Sequence, residues 1–434
     1  MEYTGPAITV VVVMLFLLVI GVPIAWSLGF SSLLVGLIFY GSVFLNKIGV
    51  TTYFLAFNLA WTPLPLFTLM ACIIAETTMG EGLYRAARAW FSRVPGGLVV
   101  TSIFGQAGMS AAMGTSAATL LAVGKVAVPE FERYKVKKGF GLGALVCGGV
   151  LGPLIPPSGT MIIYALLADA PLGRLFIAGI IPGIILAVML SATAIFMCLK
   201  NPSLGGVKVE SVPWSERFLS LRKIWPIIIA GLAVLGSIYF GIATPTEAGG
   251  FGAFIVLVIA VVAFGFRLRH LYRAMVETAL LNATIMIILI GAVLFAYLVG
   301  SSNLAQNLAG MVSEMNIPSI WVVVMIMVML LILGCFLDGL TIMMLTIPIF
   351  APLVRSLGLD LIWFGVLYVT NMEIGLITPP MGINLFLARN TFNVSTYELL
   401  RGVSPFLICL VVFLGVTVAF PQLSTWLPNL MKGS

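Results

Sequence analysis

Gly152-Pro153-Leu154-Ile155-Pro156-Pro157-Ser158-Gly159 and Gly375-Leu376-Ile377-Thr378-Pro379-Pro380-Met381-Gly382 are two versions of one octapeptide, set 223 residues apart in a long apolar chain. Proline inside a helix removes a backbone donor and clashes with the carbonyl one turn earlier. Two adjacent prolines flanked by glycine therefore predict a helix broken in its middle. The same shift takes Gly179 to Gly402 and Pro182 to Pro405, and carries the charge-free stretch 48–75 onto 271–298. A single recurring octapeptide would be unremarkable. A recurrence that continues downstream in register reads as an internal repeat.

Composition sets the surroundings of these breaks. Of 434 residues, 61% are hydrophobic and 9% charged, against roughly 25% charged in soluble domains. Charge-free stretches such as 3–46, 94–124, 139–168, 175–199, 224–246, 278–313 and 402–431 match or exceed the roughly 20 apolar residues that cross a bilayer as a helix. Membrane barrels show short alternating segments instead. The expected class is an all-α polytopic membrane protein in contact with lipid. The N-terminus carries Glu2 and lacks both a basic n-region and a small-residue cleavage site, so the first span reads as permanent. Cys72, Cys147, Cys198, Cys335 and Cys409 lie in apolar segments without a CxxC pair and read as small buried hydrophobes. The net charge of +7 reads as cytoplasmic loops rather than as a nucleic-acid surface.

Basic clusters at Arg85–Arg93, Arg133–Lys138, Lys200–Lys223 and Arg267–Arg273 all belong in the cytoplasm by the positive-inside rule. Residues 94–124 are charge-free but have such a cluster on each side. A single crossing would separate the clusters; a re-entrant hairpin keeps both inside. Its Gly105, Gly108, Ser110, Gly114, Thr115, Ser116 and Thr119 suit close packing and a broken backbone. Continuing the walk makes 303–316, with Glu314 and no Lys or Arg, an external segment. A second hairpin at about 318–353 then enters from outside with Gly334, Asp338, Gly339 and Thr341. The expected organisation is two repeats of inverted topology, 1–205 and 223–434, joined by a cytoplasmic linker at 206–222. Each repeat holds one hairpin and one Pro-Pro-broken helix, a pattern that marks the binding site of a secondary transporter.

Carbonyls freed inside lipid need protein, water or an ion. Sodium, a hard cation, prefers oxygen ligands such as carbonyls and hydroxyls. The Pro156–Pro157 break facing the first hairpin tip is one candidate cation site, and the Pro379–Pro380 break its twin, with Thr378 adding a hydroxyl. Helix starts beyond the breaks would offer amides to an anion. Asp338, an intramembrane acid, is a candidate ligand by default or a hairpin cap. Glu247 in Thr244-Pro245-Thr246-Glu247 reads as an N-terminal cap, and His270 as part of a solvated basic loop. Residues 81–94 alternate apolar and basic faces at helical spacing, as in a helix lying on the membrane surface.

Gly105–Ser116, Leu151–Ser158, Thr244–Ala248 and Gly375–Gly382 together resemble the large membrane subunit of tripartite ATP-independent periplasmic (TRAP) transporters, over nearly the whole chain. The resemblance implies an elevator-type ion-transporter fold in the bacterial inner membrane. It further implies sodium as coupling ion, no other cofactor, and a small organic anion (carboxylate, sugar acid or sulfonate) as cargo. A periplasmic substrate-binding protein and a small four-helix membrane subunit would be partners, this chain corresponding to the unfused form. Carried over by position, Ser110, Gly114, Gly152, Ile155 and Pro157 would line a first sodium site. Gly334 or Gly339, Gly375, Thr378 and Met381 would line a second; Thr115, Ser116, Ser158, Asp338 and Thr341 are further substrate or ion candidates. Met381 stands where the first repeat has Ser158, so it would contribute its backbone carbonyl.

A self-sufficient divalent-anion/sodium symporter of related architecture is the main alternative, and a channel a weaker one. An intramembrane enzyme is disfavoured by a single histidine and the lack of HExxH, and an ATP-driven pump by the lack of a P-loop around Gly124-Lys125. The hairpin reading has a direct test. Cysteines introduced at Ser92 and Lys135 should react with impermeant reagent from the cytoplasmic face alone; labelling of either from outside removes the hairpin.

Overall fold

The computed structural model describes residues 5–207, 212–222, 224–302, 307, 310, 317–379 and 382–431. No strand occurs among the described residues. Leu172–Lys200, Pro245–Phe264, Leu268–Ser301, Gly339–Ser356 and Thr396–Ala419 are each long and apolar enough to cross a membrane. Lys138–Leu154 and Gly159–Ala168 are together long and apolar enough for a span and are bent by 48°, at the first Pro-Pro pair. Most of the external segment expected at 303–316, Glu314 included, lies outside the described residues, as do Pro380 and Met381.

Local signals account for the helix ends. Thr244 and Glu247 form a reciprocal cap, Glu247 N donating to Thr244 Oγ1 at 3.3 Å and Thr244 N to Glu247 Oε2 at 2.7 Å. Pro245 supplies the pre-set first turn, and Gly265 ends the helix at φ 62°. The helix Val43–Phe57 stops at Asn58, whose Oδ1 accepts from Ala60 N at 2.9 Å. Pro63 then starts Pro63–Ala75 after a 56° bend.

One group of helices packs around Leu268–Ser301: Ile24–Tyr40 and Pro63–Ala75 lie directly on it, with Gly5–Val19, Trp225–Tyr239 and Pro245–Phe264 beside them. Its outer surface carries exposed Phe16, Trp26, Phe54, Phe251 and Phe254, a face suited to lipid. A second group contains the hairpin arms Gly97–Met113 with Ser116–Arg133, and Ser319–Gly334 with Gly339–Ser356. It also contains the broken helices Lys138–Ala168 and Leu361–Phe392, Leu172–Lys200 and Thr396–Ala419. Small residues set its tightest contact. A Cβ on Gly402 would run into the Gly139 carbonyl, and one on Gly143 would meet Val403 N at 2.7 Å. Gly139 N also donates to Glu398 Oε1 at 3.1 Å, so the acid closes the start of the first broken helix.

Helix bounds recur at the 223-residue shift. Ser116–Arg133 moved by that shift gives 339–356, the bounds of Gly339–Ser356, and Lys138 moves onto Leu361. The correspondence fails in shape where 48–75 is bent, whereas Leu268–Ser301 runs unbroken for 34 residues. The residues that cause the bend, Asn58 and Pro63, have Leu281 and Met286 at the shifted positions, which neither cap nor break a helix.

Two expectations need correction, at the first hairpin and at His270. The first hairpin runs from 97 to 133, beyond the 94–124 drawn from the absence of charge. Its second arm carries Lys125 with an exposed side chain, and a long basic stem lets a helix continue past the last charge-free residue. Within the linker, Trp214–Leu221 is a helix whose Trp214 and Phe218 rings pack on Trp90, centroids 6.4 and 5.9 Å apart. His270 lies in the first turn of Leu268–Ser301, not in a loop, and its Nδ1 accepts from Arg267 N at 3.1 Å. A helix occupies Met79–Phe91, where 81–94 reads as an amphipathic one. Its Leu83 and Tyr84 fill the space over Gly108 and Gly105, and Arg88 reaches Glu130 at 2.8 Å on the hairpin's second arm.

Gly402→Val should therefore destabilise the purified protein by about 1–3 kcal/mol through overpacking, read as a lower Tm in detergent. Gly415→Val, where an added Cβ meets nothing within 4 Å, should leave Tm nearly unchanged.

Candidate ion and substrate site

The first hairpin turns at Gly114 and Thr115. Gly114 holds φ 62°, a left-handed conformation that favours glycine, and its N–H donates to Ser110 O at 3.0 Å. The tip rests on the first break. A Cβ added to Gly114 would lie 3.2 Å from Gly159 N and 3.4 Å from Pro157 O; one on Gly152 would lie 2.9 Å from Thr115 O. Gly114, Gly152 and Pro157 thus meet, as the sequence predicts. Ser110 and Ser158 are fully buried. Ser110 Oγ donates to Gln106 O at 2.6 Å, while Ser158 Oγ accepts from Met161 N at 3.3 Å and caps the restarted helix. Ser158 is therefore a cap first.

The break leaves oxygen atoms over. Ile155 leaves the helix at φ −86°, ψ 120°. Pro156 and Pro157 bring no N–H, so the Gly152 and Pro153 carbonyls lose the donors due four residues on. No hydrogen bond among the described residues reaches the carbonyls of Ile155, Pro156 or Pro157, although both prolines are buried. Unpaired carbonyls on buried residues are rare. Such carbonyls are oxygen donors fit for a hard monovalent cation, and the Ser110 hydroxyl, one turn before Gly114, keeps acceptor capacity.

The second hairpin meets the second break in the same manner. Gly334 and Gly375 touch backbone to backbone, each Cα 2.7 Å from where the other's Cβ would stand. Gly339 instead packs under the Met372 side chain. Cys335 Sγ donates to Pro379 O at 3.4 Å. Thr378 Oγ1 donates to Ile374 O at 2.6 Å, which fixes its proton and leaves its oxygen free to accept. Gly375 O accepts from Thr378 N at 3.0 Å and Leu376 O from Asn384 N at 3.1 Å, so this break is better paired than the first. Gly382 re-enters the helix at φ 47°. Asp338 caps Gly339–Ser356, its Oδ1 accepting from Thr341 N at 3.2 Å and its Oδ2 from the Thr341 hydroxyl. The acid and Thr341 serve each other, which is the capping role. Met381 lies outside the described residues, and Thr115 is exposed at the first tip.

Buried amides fasten hairpin to broken helix in both halves, with the donor exchanged. Gln106 Nε2, on the first hairpin, donates to Leu145 O at 2.7 Å, and Asn371 Nδ2, on the second broken helix, donates to Met327 O at 2.8 Å. The halves are joined to each other where Asn384 Nδ2 donates to Ser116 Oγ at 3.0 Å, and where Tyr164 Oη donates to Leu361 O at 2.9 Å. Sequence reasoning missed Asn371, Asn384 and Glu373; a polar residue two before Gly375, in a stretch otherwise apolar, was the available signal. A cavity of about 880 Å³ opens elsewhere, between Lys47, Trp61, Asp169 and Tyr297, and none of the candidate residues lines it.

Comparison with known proteins fits this geometry. Residues 11–423 match the family described as tripartite ATP-independent periplasmic transporter, DctM component. The chain is 32% identical over 370 residues to the C4-dicarboxylate TRAP transporter large permease protein DctM of Pseudomonas aeruginosa, covering 84% of this chain and 85% of that one. It is 27% identical to the sialic acid TRAP transporter large permease protein SiaM of Vibrio cholerae, over 96% of this chain and 97% of the other. Among solved structures, the Alcanivorax borkumensis YdaH transporter superposes with TM-score 0.65 at 14% identity, covering 88% of this chain and 89% of that one; this likeness concerns the fold alone. These relatives are named as transporters, not enzymes. With its motifs, its paired hairpins and this match, the chain belongs to the DctM component family of tripartite ATP-independent periplasmic transporters.

Proposed function

We propose that this membrane-embedded chain imports a small organic anion across the bacterial inner membrane by sodium symport, with an elevator movement. The observation that carries the reading is the pairing of each hairpin tip with a Pro-Pro break, above all the donorless carbonyls of Ile155, Pro156 and Pro157. The first sodium ion would be held by Ser110 and the Gly152, Ile155 and Pro157 carbonyls, with Gly114 closing the tip. The second would be held by Gly334, Gly375, Thr378 and Met381. Gly334 is preferred to Gly339 because its backbone touches Gly375. Two repeats of inverted topology, 1–205 and 223–434 with a linker at 206–222, would place the sites as twins. The group around Leu268–Ser301 would be the scaffold, and the hairpins with the broken helices the moving part. Related proteins are named for C4-dicarboxylates, sialic acid, isethionate and ectoine, which supports a small polar, mostly anionic cargo. A small membrane subunit and a periplasmic binding protein that delivers that cargo would complete the transporter, a reading that the tripartite family supports.

Two experiments test the reading. In liposomes the chain alone should not accumulate substrate, and adding the small subunit with the cognate binding protein should start uptake. Robust uptake by the chain alone would favour a self-sufficient symporter. In the complete system, Thr378→Val removes one oxygen ligand while keeping the shape. Apparent sodium affinity, read from initial uptake against external sodium, should weaken by roughly 1–3 kcal/mol, the scale of one lost polar partner. An unchanged sodium curve would show that Thr378 is no ligand, and equal uptake in potassium would overturn sodium coupling itself.

A further inference from the structure

Glu373 is the polar group that neither hairpin-tip site uses. It is 3% exposed, and its Oε2 has no hydrogen-bond partner. Its carboxyl faces the Ser116 hydroxyl, which accepts from Asn384 Nδ2 at 3.0 Å and so has its proton left for Glu373. Ser116 is 6% and Asn384 3% exposed. The three residues come from three places: before the second break, after it, and the tip of the opposite hairpin. Among the described residues no Lys, Arg or His forms an ion pair with Glu373. A carboxylate shut away from water is costly unless a proton or a cation neutralises it. Packing does not demand an acid here, because Val150 fills the position 223 residues earlier, where the other broken helix nears its break.

We propose that Glu373 and the Ser116 hydroxyl form a third monovalent-cation site, shared between the halves and separate from the two hairpin-tip sites. Sodium is the ion of choice: it is small and hard, and one carboxylate neutralises it. A divalent ion would call for more acids, and no group of three metal-binding side chains occurs among the described residues. Ser116 Oγ has two lone pairs; Asn384 occupies one, which aims the other. Asn384 is thus a positioning residue. An ion here would tie the first hairpin to the second broken helix, so that the halves move together only when loaded. This inference rests on sodium coupling as proposed above.

Bound sodium counted by equilibrium dialysis with labelled sodium on the purified chain with its small subunit tests it. Glu373→Gln should bind one sodium fewer than the wild type. Ser116→Ala should weaken that same ion about tenfold, the scale of a lost contact to a charged group. Should Glu373→Gln fail to fold, Glu373→Val, the residue of the first half, replaces it with the same expectation; Tm and gel-filtration profiles verify folding. An equal count in a folded variant, with sodium bound by the wild type, overturns the third site and leaves sodium coupling intact. A wild type that binds no sodium overturns both.

Discussion

The structure depends on one constraint: inside lipid, a backbone carbonyl without a donor must be answered by something other than water. Paired prolines raise this demand twice in this chain: at Pro156–Pro157 carbonyls are left without donors, whereas before Pro379–Pro380 the Gly375 and Leu376 carbonyls find donors within the chain. Each hairpin tip is brought to one of these places, and the closest approach is made by backbone at glycines. That is why glycine occupies Gly114, Gly152, Gly334 and Gly375, where a Cβ would stand about 3.4 Å or less from a neighbouring backbone atom. The close approach and the unpaired oxygens have a common origin, since a bulky tip would both hold the hairpin off and cover the carbonyls.

Around these contacts the two halves solve one problem with different residues. Gln106 and Asn371 both lock a hairpin to its broken helix, but the amide comes from the hairpin in one half and from the broken helix in the other. A Cβ on Gly148 would collide with Gln106, and Gly148 is the position to which Asn371 shifts. The large side chain sits on one partner and the small one on the other, so the exchange keeps the interface filled. Such exchanges change the residues at a contact while keeping it closed. Glu373 against Val150 differs in kind, because it changes charge rather than size and gives the second half a polar junction with the first.

The basic elements reach the breaks through the hairpin's long second arm. Arg88 lies 2.8 Å from Glu130, and its Nη2 donates to Tyr134 Oη at 2.9 Å. The linker closes on the same turn, with Val207 N donating to Tyr134 O at 2.8 Å and Lys137 N to Leu204 O at 3.1 Å. The helix Met79–Phe91, the first hairpin and the linker are therefore one mechanical unit at that end of the molecule.

The sequence by itself determined the all-helical membrane class, both breaks, both hairpins and the residues at their tips. These follow from local rules: apolar length sets a span, adjacent prolines break it, and glycine with hydroxyl residues marks a tip. It also determined the cap at Thr244–Glu247, whose partners are three residues apart. Tertiary structure alone decided which oxygens are left unpaired, because Thr378 and Leu376 find partners at the second break that Ile155 and Pro157 lack at the first. It also decided that Gly334 meets Gly375 and that Asp338 serves as a cap. It assembled Ser116, Glu373 and Asn384, residues hundreds of positions apart in part, into one buried cluster. Spacing along a chain reports the neighbours within one helix. Which helices then face each other is set by how closely their small residues let them approach, and that is a property of the packed molecule.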